Sequence, residues 1–255
     1  MTVRQYSGGK STMMTDRVEI GDAFGTALLE ELEHGNAFEV AERDDGFVGV
    51  HPIARYFAEY SDWPELEKVA IDSASGRVLD LGAGAGRATL TLQQRNQSVL
   101  AVYNSPLAVQ VCRRRGVQNI VLGTIFDLPP QQETFDSVLM LGGNLGFLQG
   151  PSTARAFLIA AASVTSPSAR IFGISTDPYL SLNPTHLAYY KRNFESGRVG
   201  GQMRLRIRHG IRATVWFDLW LLSVPDLQQV VANTDWNLGA VQRDGARYLA
   251  TLTRC

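Results

Sequence analysis

Gly82, Gly84 and Gly86 alternate directly after the apolar run Val78-Leu79-Asp80-Leu81. Glycine takes positive φ at no steric cost and leaves its peptide groups open to close approach, so this spacing predicts a strand, a tight turn and then a helix from about Ala85 to Gln94. Such a helix points its N-terminal amides and the positive end of its dipole at whatever occupies the turn. The chemistry implied is capture of an anionic or polar nucleotide-like ligand. Other candidates lie where ligands collect at strand ends of parallel sheets: Asn144 after the run Phe135 to Leu141, and Asp177 and Tyr179 after Ile171 to Ser175. His51, Arg55 and Tyr56 precede the glycine turn, and His186, Tyr189, Tyr190 and Trp216 follow it. Each has an ordinary alternative. Asp177 before Pro178 suits a turn, and aromatic faces commonly only pack. His34 and His209 have no companion pattern, so no metal site is expected.

The elements that position these residues read as follows. Residues 1–16 are polar and without period, a disordered leader. Phe24, Leu28 and Leu32 share one face of a helix that starts at Asp22 and ends at Gly35. The segments flanking Asp45-Gly46 form a hairpin over 38–50, and a helix is expected from His51 to Tyr60, with another from Pro64 to about Ser73. Strands at 98–103, 119–124, 135–141 and 171–175 alternate with helices at 105–116 and 152–164, which implies a parallel sheet with right-handed crossovers. Beyond it come a helix at 183–193, paired strands at 202–209 and 214–222, a helix at 226–233 and a final hairpin at 236–253.

The glycine stretch resembles the first motif of class I S-adenosylmethionine-dependent methyltransferases, an apolar run, an acid and G-x-G-x-G, with Asp80 as the acid. A dinucleotide fingerprint would need a third glycine at Arg87. The resemblance covers roughly residues 77–175 and, more loosely, the final hairpin. It implies an α/β, Rossmann-like seven-stranded methyltransferase sheet with an N-terminal helical cap (17–76), a core (77–177), a substrate-side inserted antiparallel hairpin (178–222) and a C-terminal helix and hairpin (223–255). It further implies S-adenosylmethionine at Asp80, Gly82, Ala83, Gly84, Gly86, Tyr103, Asn104, Thr124, Ile125, Phe126 and Asp127. His51, Asn144, Asp177 and Tyr179 are the candidates for catalysis, and Arg55, Tyr56, Tyr189, Tyr190 and Trp216 those for acceptor binding. Two positions depart from the pattern. Tyr103 stands where the family has a ribose-binding acid, and Gly123-Thr124 where it often has Gly-Asp. Each charge-assisted bond lost is worth about 1.5–3 kcal/mol. Tyr103→Asp is therefore expected to tighten cofactor binding.

The 255-residue chain has 45% apolar residues, 19% charged residues and a formal net charge of −1. That balance gives no field to recruit nucleic acid or an anionic membrane, so the expected partner is a small molecule and the expected state a monomer or homodimer. Two cysteines, Cys112 and Cys255, make neither a disulfide framework nor a zinc cluster, and no apolar run reaches a membrane span. A cytoplasmic protein is expected. Methyl transfer to a natural-product-like small molecule is the leading expectation. An enzyme of the same fold that cyclises or isomerises a natural product, and a non-catalytic binding subunit, stay open. Over 203–208 the arginines alternate with apolar residues, which reads first as a half-buried strand with a solvated basic face; the alternative is that the strand and Trp216-Phe217-Asp218 form a flap over the acceptor, apolar side and Trp216 inward.

Overall fold

The computed structural model describes residues 18–129 and 134–255. The expected leader lies outside the described residues. Seven strands form the main sheet: β4 (Val78–Leu81), β5 (Val99–Tyr103), β6 (Ile120–Leu122), β7 (Phe135–Met140), β8 (Thr165–Thr176), β12 (Trp236–Asp244) and β13 (Arg247–Arg254). Their order is β12-β13-β8-β7-β4-β5-β6, parallel from β8 to β6 and antiparallel at the β12-β13 edge. Strand β4 is buried along its whole length, as a central parallel strand covered by helices on both faces must be. The covering helices are α2 (Glu65–Ser73), α3 (Arg87–Gln94), α4 (Pro106–Arg114), α5 (Pro151–Val164) and α7 (Val224–Val231). One core of Leu79, Val138, Ile171, Trp220 and Trp236 fills one side of the sheet, and a second, with Val78, Leu92, Leu139 and Phe172, fills the other.

The N-terminal segment and the insertion are not separate additions. Strands β1 (Glu19–Ile20), β2 (Phe38–Arg43), β3 (Val48–Pro52), β9 (Gln202–His209), β10 (Arg212–Ala213) and β11 (Phe217–Trp220) make one six-stranded sheet, β2 pairing β3 on one edge and β9 on the other. This second sheet caps the first. Helix α1 (Ala23–His34) joins them: the carboxylate of Asp22 caps α1 at Gly25 N (2.9 Å) and also takes Ser105 Oγ (2.7 Å) and Leu107 N (3.0 Å) at the start of α4. One side chain thus ends two orphaned helix termini.

Three expected elements differ. The helix expected over 51–60 is absent, because His51 and Pro52 complete β3 in extended conformation and only short 3-10 turns follow at Ile53–Tyr56 and Tyr60–Asp62. The strand expected over 214–222 is confined to β11, and that expected from Ile171 begins at Thr165, directly after α5. Helix α6 (Pro184–Glu195) lies where the sequence puts it.

Candidate functional site

The candidate site is the region between the carboxyl ends of β4, β5 and β7 and the inner side of the cap sheet, which meet where Tyr56 lies over Gly84 and Leu219 over Gly146. Its floor is the turn after β4, where Gly82, Gly84 and Gly86 all take positive φ (81°, 59° and 82°). Each glycine meets a different neighbour. A Cβ on Gly82 would collide with the amide of Asn144, which donates to Leu81 O (3.1 Å) and Gly82 O (2.9 Å). One on Gly86 would strike Val117 Cγ2 (2.7 Å) and Cys112 Sγ (3.1 Å) in the packing against α4. On Gly84 it would touch, among the described residues, only the Tyr56 ring, at 3.4 Å. Gly84 is therefore the glycine that faces the cleft. Across from it, Gly142 (φ 65°) and Gly143 (φ 96°) follow β7 with nothing within 4 Å of an added Cβ.

Asp80 is 2% exposed and accepts Thr89 Oγ1 at 2.7 Å, so it ties the end of β4 to α3. Burial pushes its carboxyl up from 3.8 to about 6, against the lowering effects of Thr89 and Arg87. Because the folded-state value is raised, this group favours folding fully below about pH 3.8 and loses that contribution as pH rises through about 6. Asp80→Asn keeps an oxygen for Thr89 and has no charge to desolvate. It is expected to match the native chain in urea unfolding at pH 4 and to exceed it at pH 7.5 by as much as about 3 kcal/mol. Equal stability at both values would show that Asp80 is not buried as described.

The next strand end carries Tyr103. Its ring stacks on Phe24 (5.9 Å between centroids), and Phe24 meets Tyr56 edge-on at 5.1 Å. Burial first, and then the nearby Tyr56, Glu39 and Asp22, raise the phenol well above its usual value. Asn104 beyond it is exposed. At the third strand end, Thr124 and Asp127 satisfy each other: Asp127 Oδ2 takes both Thr124 N and Oγ1 at 2.8 Å, bonds that hold its carboxyl below the usual range. Ile125 is buried and Phe126 exposed.

Sequence reasoning missed the residue at the hinge of cap and floor. Glu39 on β2 is 3% exposed, pairs with Arg55 and accepts Tyr56 Oη at 3.0 Å, while Arg55 Nη2 reaches Tyr56 Oη at 2.7 Å. The phenol that covers Gly84 is thus held by a buried ion pair, and its own ionisation is pushed upward, by burial and then by Glu39. Strand register defines the surface around it. Glu39 faces His51, Ala41 faces Gly49 and Ile207, Arg43 faces Leu205, and Leu205 faces Phe217, so all of them share the inner side of the cap. Leu219, on the same side, reaches down to Gly146 after β7. Leu205, Ile207, Met203, Phe217 and Leu219 are half-buried, which marks an apolar wall that still has open surface. His51 Nε2 lies 3.1 Å from where a Cβ on Gly49 would stand, so the missing side chain makes room for the imidazole.

Not every expected residue joins this cleft. Trp216 sits under the Arg206 guanidinium (4.7 Å) on the outer side of the cap, where Arg206 forms a two-pronged bond to Glu42 (both 2.9 Å). The expected arrangement of arginines outside and apolar residues inside holds for the strand, but Trp216 goes with the arginines. Tyr189 and Tyr190 are buried at the hairpin tip. Tyr189 lies against Arg43 (4.0 Å) and donates to Asp44 Oδ1 (2.7 Å), and Tyr190 stacks on His186. Arg43 is four residues along β2 from Glu39, about 13 Å away. Asp177 caps a turn through Tyr179 N (3.2 Å) and faces Arg243 Nη2 (3.5 Å). Tyr179 is 44% exposed and stacks on Phe194. Among the described residues no group of three His, Cys, Asp or Glu could hold a metal ion, and no helix is long and apolar enough to cross a membrane.

The comparisons with known proteins agree with this architecture. A family model described as a methyltransferase domain matches residues 78–168. The chain is 25% identical to a SAM-dependent methyltransferase from Bacteroides fragilis whose crystal structure contains S-adenosyl-L-homocysteine. The likeness covers 92% of this chain and 95% of that one, with a TM-score of 0.77. It is 35% identical over 102 residues to a demethylmenaquinone methyltransferase of Tropheryma whipplei, 39% of this chain and 41% of that protein. It is also 37% identical over 78 residues to an uncharacterized methyltransferase of Mycobacterium tuberculosis, 30% of this chain and 32% of that protein. The match spans less than half the length of these curated relatives. Residues 78–168 thus match a methyltransferase domain, and the chain has the fold of a SAM-dependent methyltransferase.

Proposed function

We propose that the chain binds S-adenosylmethionine at the glycine turn and transfers its methyl group to a small, uncharged, largely apolar acceptor held under the cap. The observation that carries this reading is the pairing of a left-handed glycine turn at Gly84, roofed by the Tyr56 ring, and an open one at Gly142-Gly143 with an inner cap surface from which every β9 arginine is turned away. The turn fits the cofactor because, among the described residues, the space above Gly84 meets nothing but the Tyr56 ring, at 3.4 Å. Gly82, Ala83 and Gly84 would hold it by their backbone, with Asp80 and Asn144 fixing the turn beneath. Tyr103, Asn104 and the segment Thr124 to Asp127 would flank it. When bound, it supplies an electrophilic methyl group on a sulfonium.

The chain's own part is alignment and proton removal. Leu205, Ile207 and Phe217 orient the acceptor and exclude water. His51 takes the proton from its nucleophile: the imidazole makes no hydrogen bond with a described residue, and imidazole is the side chain best suited to that task near neutral pH. His51→Ala is expected to lower kcat by about 10²–10⁴-fold with S-adenosylhomocysteine affinity unchanged, and raising the pH should restore part of the rate. An unchanged kcat would remove His51 from the reaction. A second reading, a pocket that uses the fold without methyl transfer, is favoured by one observation: the half-buried Tyr103, packed on Phe24, stands where the resemblance has an acid. Release of S-adenosylhomocysteine from labelled S-adenosylmethionine on incubation with neutral phenols and alcohols separates the two.

A further inference from the structure

Strand β2 buries two charges on the inner side of the cap, Glu39 and Arg43, 3% and 2% exposed, while the apolar Phe38 is 50% exposed. Desolvating a carboxylate is costly, and a buried ion pair can often be replaced by apolar residues of similar volume without loss of stability. Stability alone is therefore a poor reason for Glu39. Its contacts give a better one. Glu39 Oε1 takes both the Arg55 guanidinium and the Tyr56 hydroxyl (3.0 Å), and Arg55 Nη2 donates to the same hydroxyl at 2.7 Å. The three side chains close a triangle, and its aromatic member is the ring that stands over Gly84.

The backbone alone gives Tyr56 little hold. It is the last residue of a four-residue 3-10 turn, Ile53–Tyr56, that has no side-chain cap. Hydrogen bonds in such turns have poorer geometry than those of an α-helix. Side chains supply what the turn lacks: the hydroxyl is held at one end, and the ring lies against the Arg55 guanidinium (4.8 Å to its centroid) and edge-on to Phe24 (5.1 Å between centroids). The triangle is not built for proton transfer. One carboxylate oxygen already accepts two donors, and burial, then Glu39, pushes the ionisation of the Tyr56 phenol far above its ordinary value, so at neutral pH it remains a donor.

We propose that Glu39 is a positioning residue of the methyl-donor site: with Arg55 it holds the Tyr56 hydroxyl and so fixes the ring over Gly84 as a wall already in place when the donor arrives. This role rests on the reading of the glycine turn given above. A wall fixed in advance spares the donor the cost of ordering a mobile side chain, which is worth about three- to tenfold in affinity.

The test is calorimetric titration with S-adenosylhomocysteine, together with urea unfolding, on the full native chain, Tyr56→Phe, Glu39→Gln, the double variant and Asp45→Asn. Tyr56→Phe keeps the ring and removes the hydroxyl, and Glu39→Gln keeps the shape and an acceptor but removes the charge. Each is expected to weaken S-adenosylhomocysteine binding by about three- to tenfold, and the double variant by no more than about twofold beyond the weaker-binding single, because both changes act on one contact. Asp45→Asn breaks the other buried ion pair of the strand, at Arg43, about 13 Å from Glu39. It is expected to lower stability and leave affinity as it is, the pattern that Glu39→Gln would also show if Glu39 were merely structural. Native affinity in either single variant, or a loss in the double variant equal to the product of the two single losses, overturns the role of Glu39 while the donor site stands. A folded native chain that binds no S-adenosylhomocysteine overturns the donor site, and this role with it.

Discussion

Gly86→Ala is expected to unfold the chain at far lower denaturant than Gly84→Ala, although the two glycines are two residues apart in one turn. Both have positive φ, so each substitution carries a strain of about 1–2 kcal/mol. At Gly86 the new methyl group also meets Val117 Cγ2 at 2.7 Å and Cys112 Sγ at 3.1 Å, inside the packing of α4 on the sheet. Overpacking adds about 1–3 kcal/mol, for a total of about 2–5 kcal/mol. At Gly84 the only contact is an ordinary one with Tyr56, so Gly84→Ala should stay folded and lose ligand affinity instead. Urea unfolding and ligand titration on the same two proteins give the crossed result. Equal loss of stability in both would mean that Gly84, like Gly86, faces packing and not the cleft.

The second large effect concerns Tyr103. From the sequence, Tyr103→Asp restores a family acid and should tighten cofactor binding. The structure predicts a different outcome, because the half-buried Tyr103 ring is packed on Phe24 with Glu39 and Asp22 near its phenol. An aspartate there loses aromatic packing and places a third carboxylate among two others, where burial and like charge both raise its pKa. Tyr103→Asp is expected to destabilise the chain by about 3–5 kcal/mol at pH 7, and less at pH 5, where the new carboxyl is more readily protonated. Chemical denaturation at the two pH values checks it. A variant as stable as the native chain that also binds S-adenosylhomocysteine more tightly would show that the ribose region is open.

What could be read from the sequence follows from how local each signal is. The glycine turn, the parallel strands and the β12-β13 edge rest on short-range period and turn chemistry, and the structure has them. The cap did not yield to the same reading. Phe38-Glu39-Val40-Ala41-Glu42-Arg43 alternates so that Phe38 and Val40 look like the buried side, yet Phe38 is 50% exposed while Glu39 and Arg43 are 3% and 2% exposed. Partners outside the strand reverse the pattern: Arg55 neutralises Glu39 and Tyr56 donates to it, Asp45 two residues on pairs with Arg43, and the distant His186 and Tyr189 enclose Arg43. Buried charges are tolerated when paired, and no window of sequence shows a partner about 145 residues away. Trp216 is the converse case. An aromatic residue beside an alternating strand suggested the inner wall, whereas the cation–π contact with Arg206 holds it outside. Trp216→Ala is accordingly expected to leave acceptor KM unchanged in steady-state kinetics.

The central claim is that the cleft at Gly84 binds the methyl donor, and calorimetric titration of the full chain with S-adenosylhomocysteine tests it most directly. Saturable one-to-one binding is expected, displaced by S-adenosylmethionine and weakened by about tenfold in Gly84→Ala, the equivalent of about 1.4 kcal/mol. Absence of binding to the folded native chain, or binding that Gly84→Ala leaves untouched, would contradict it.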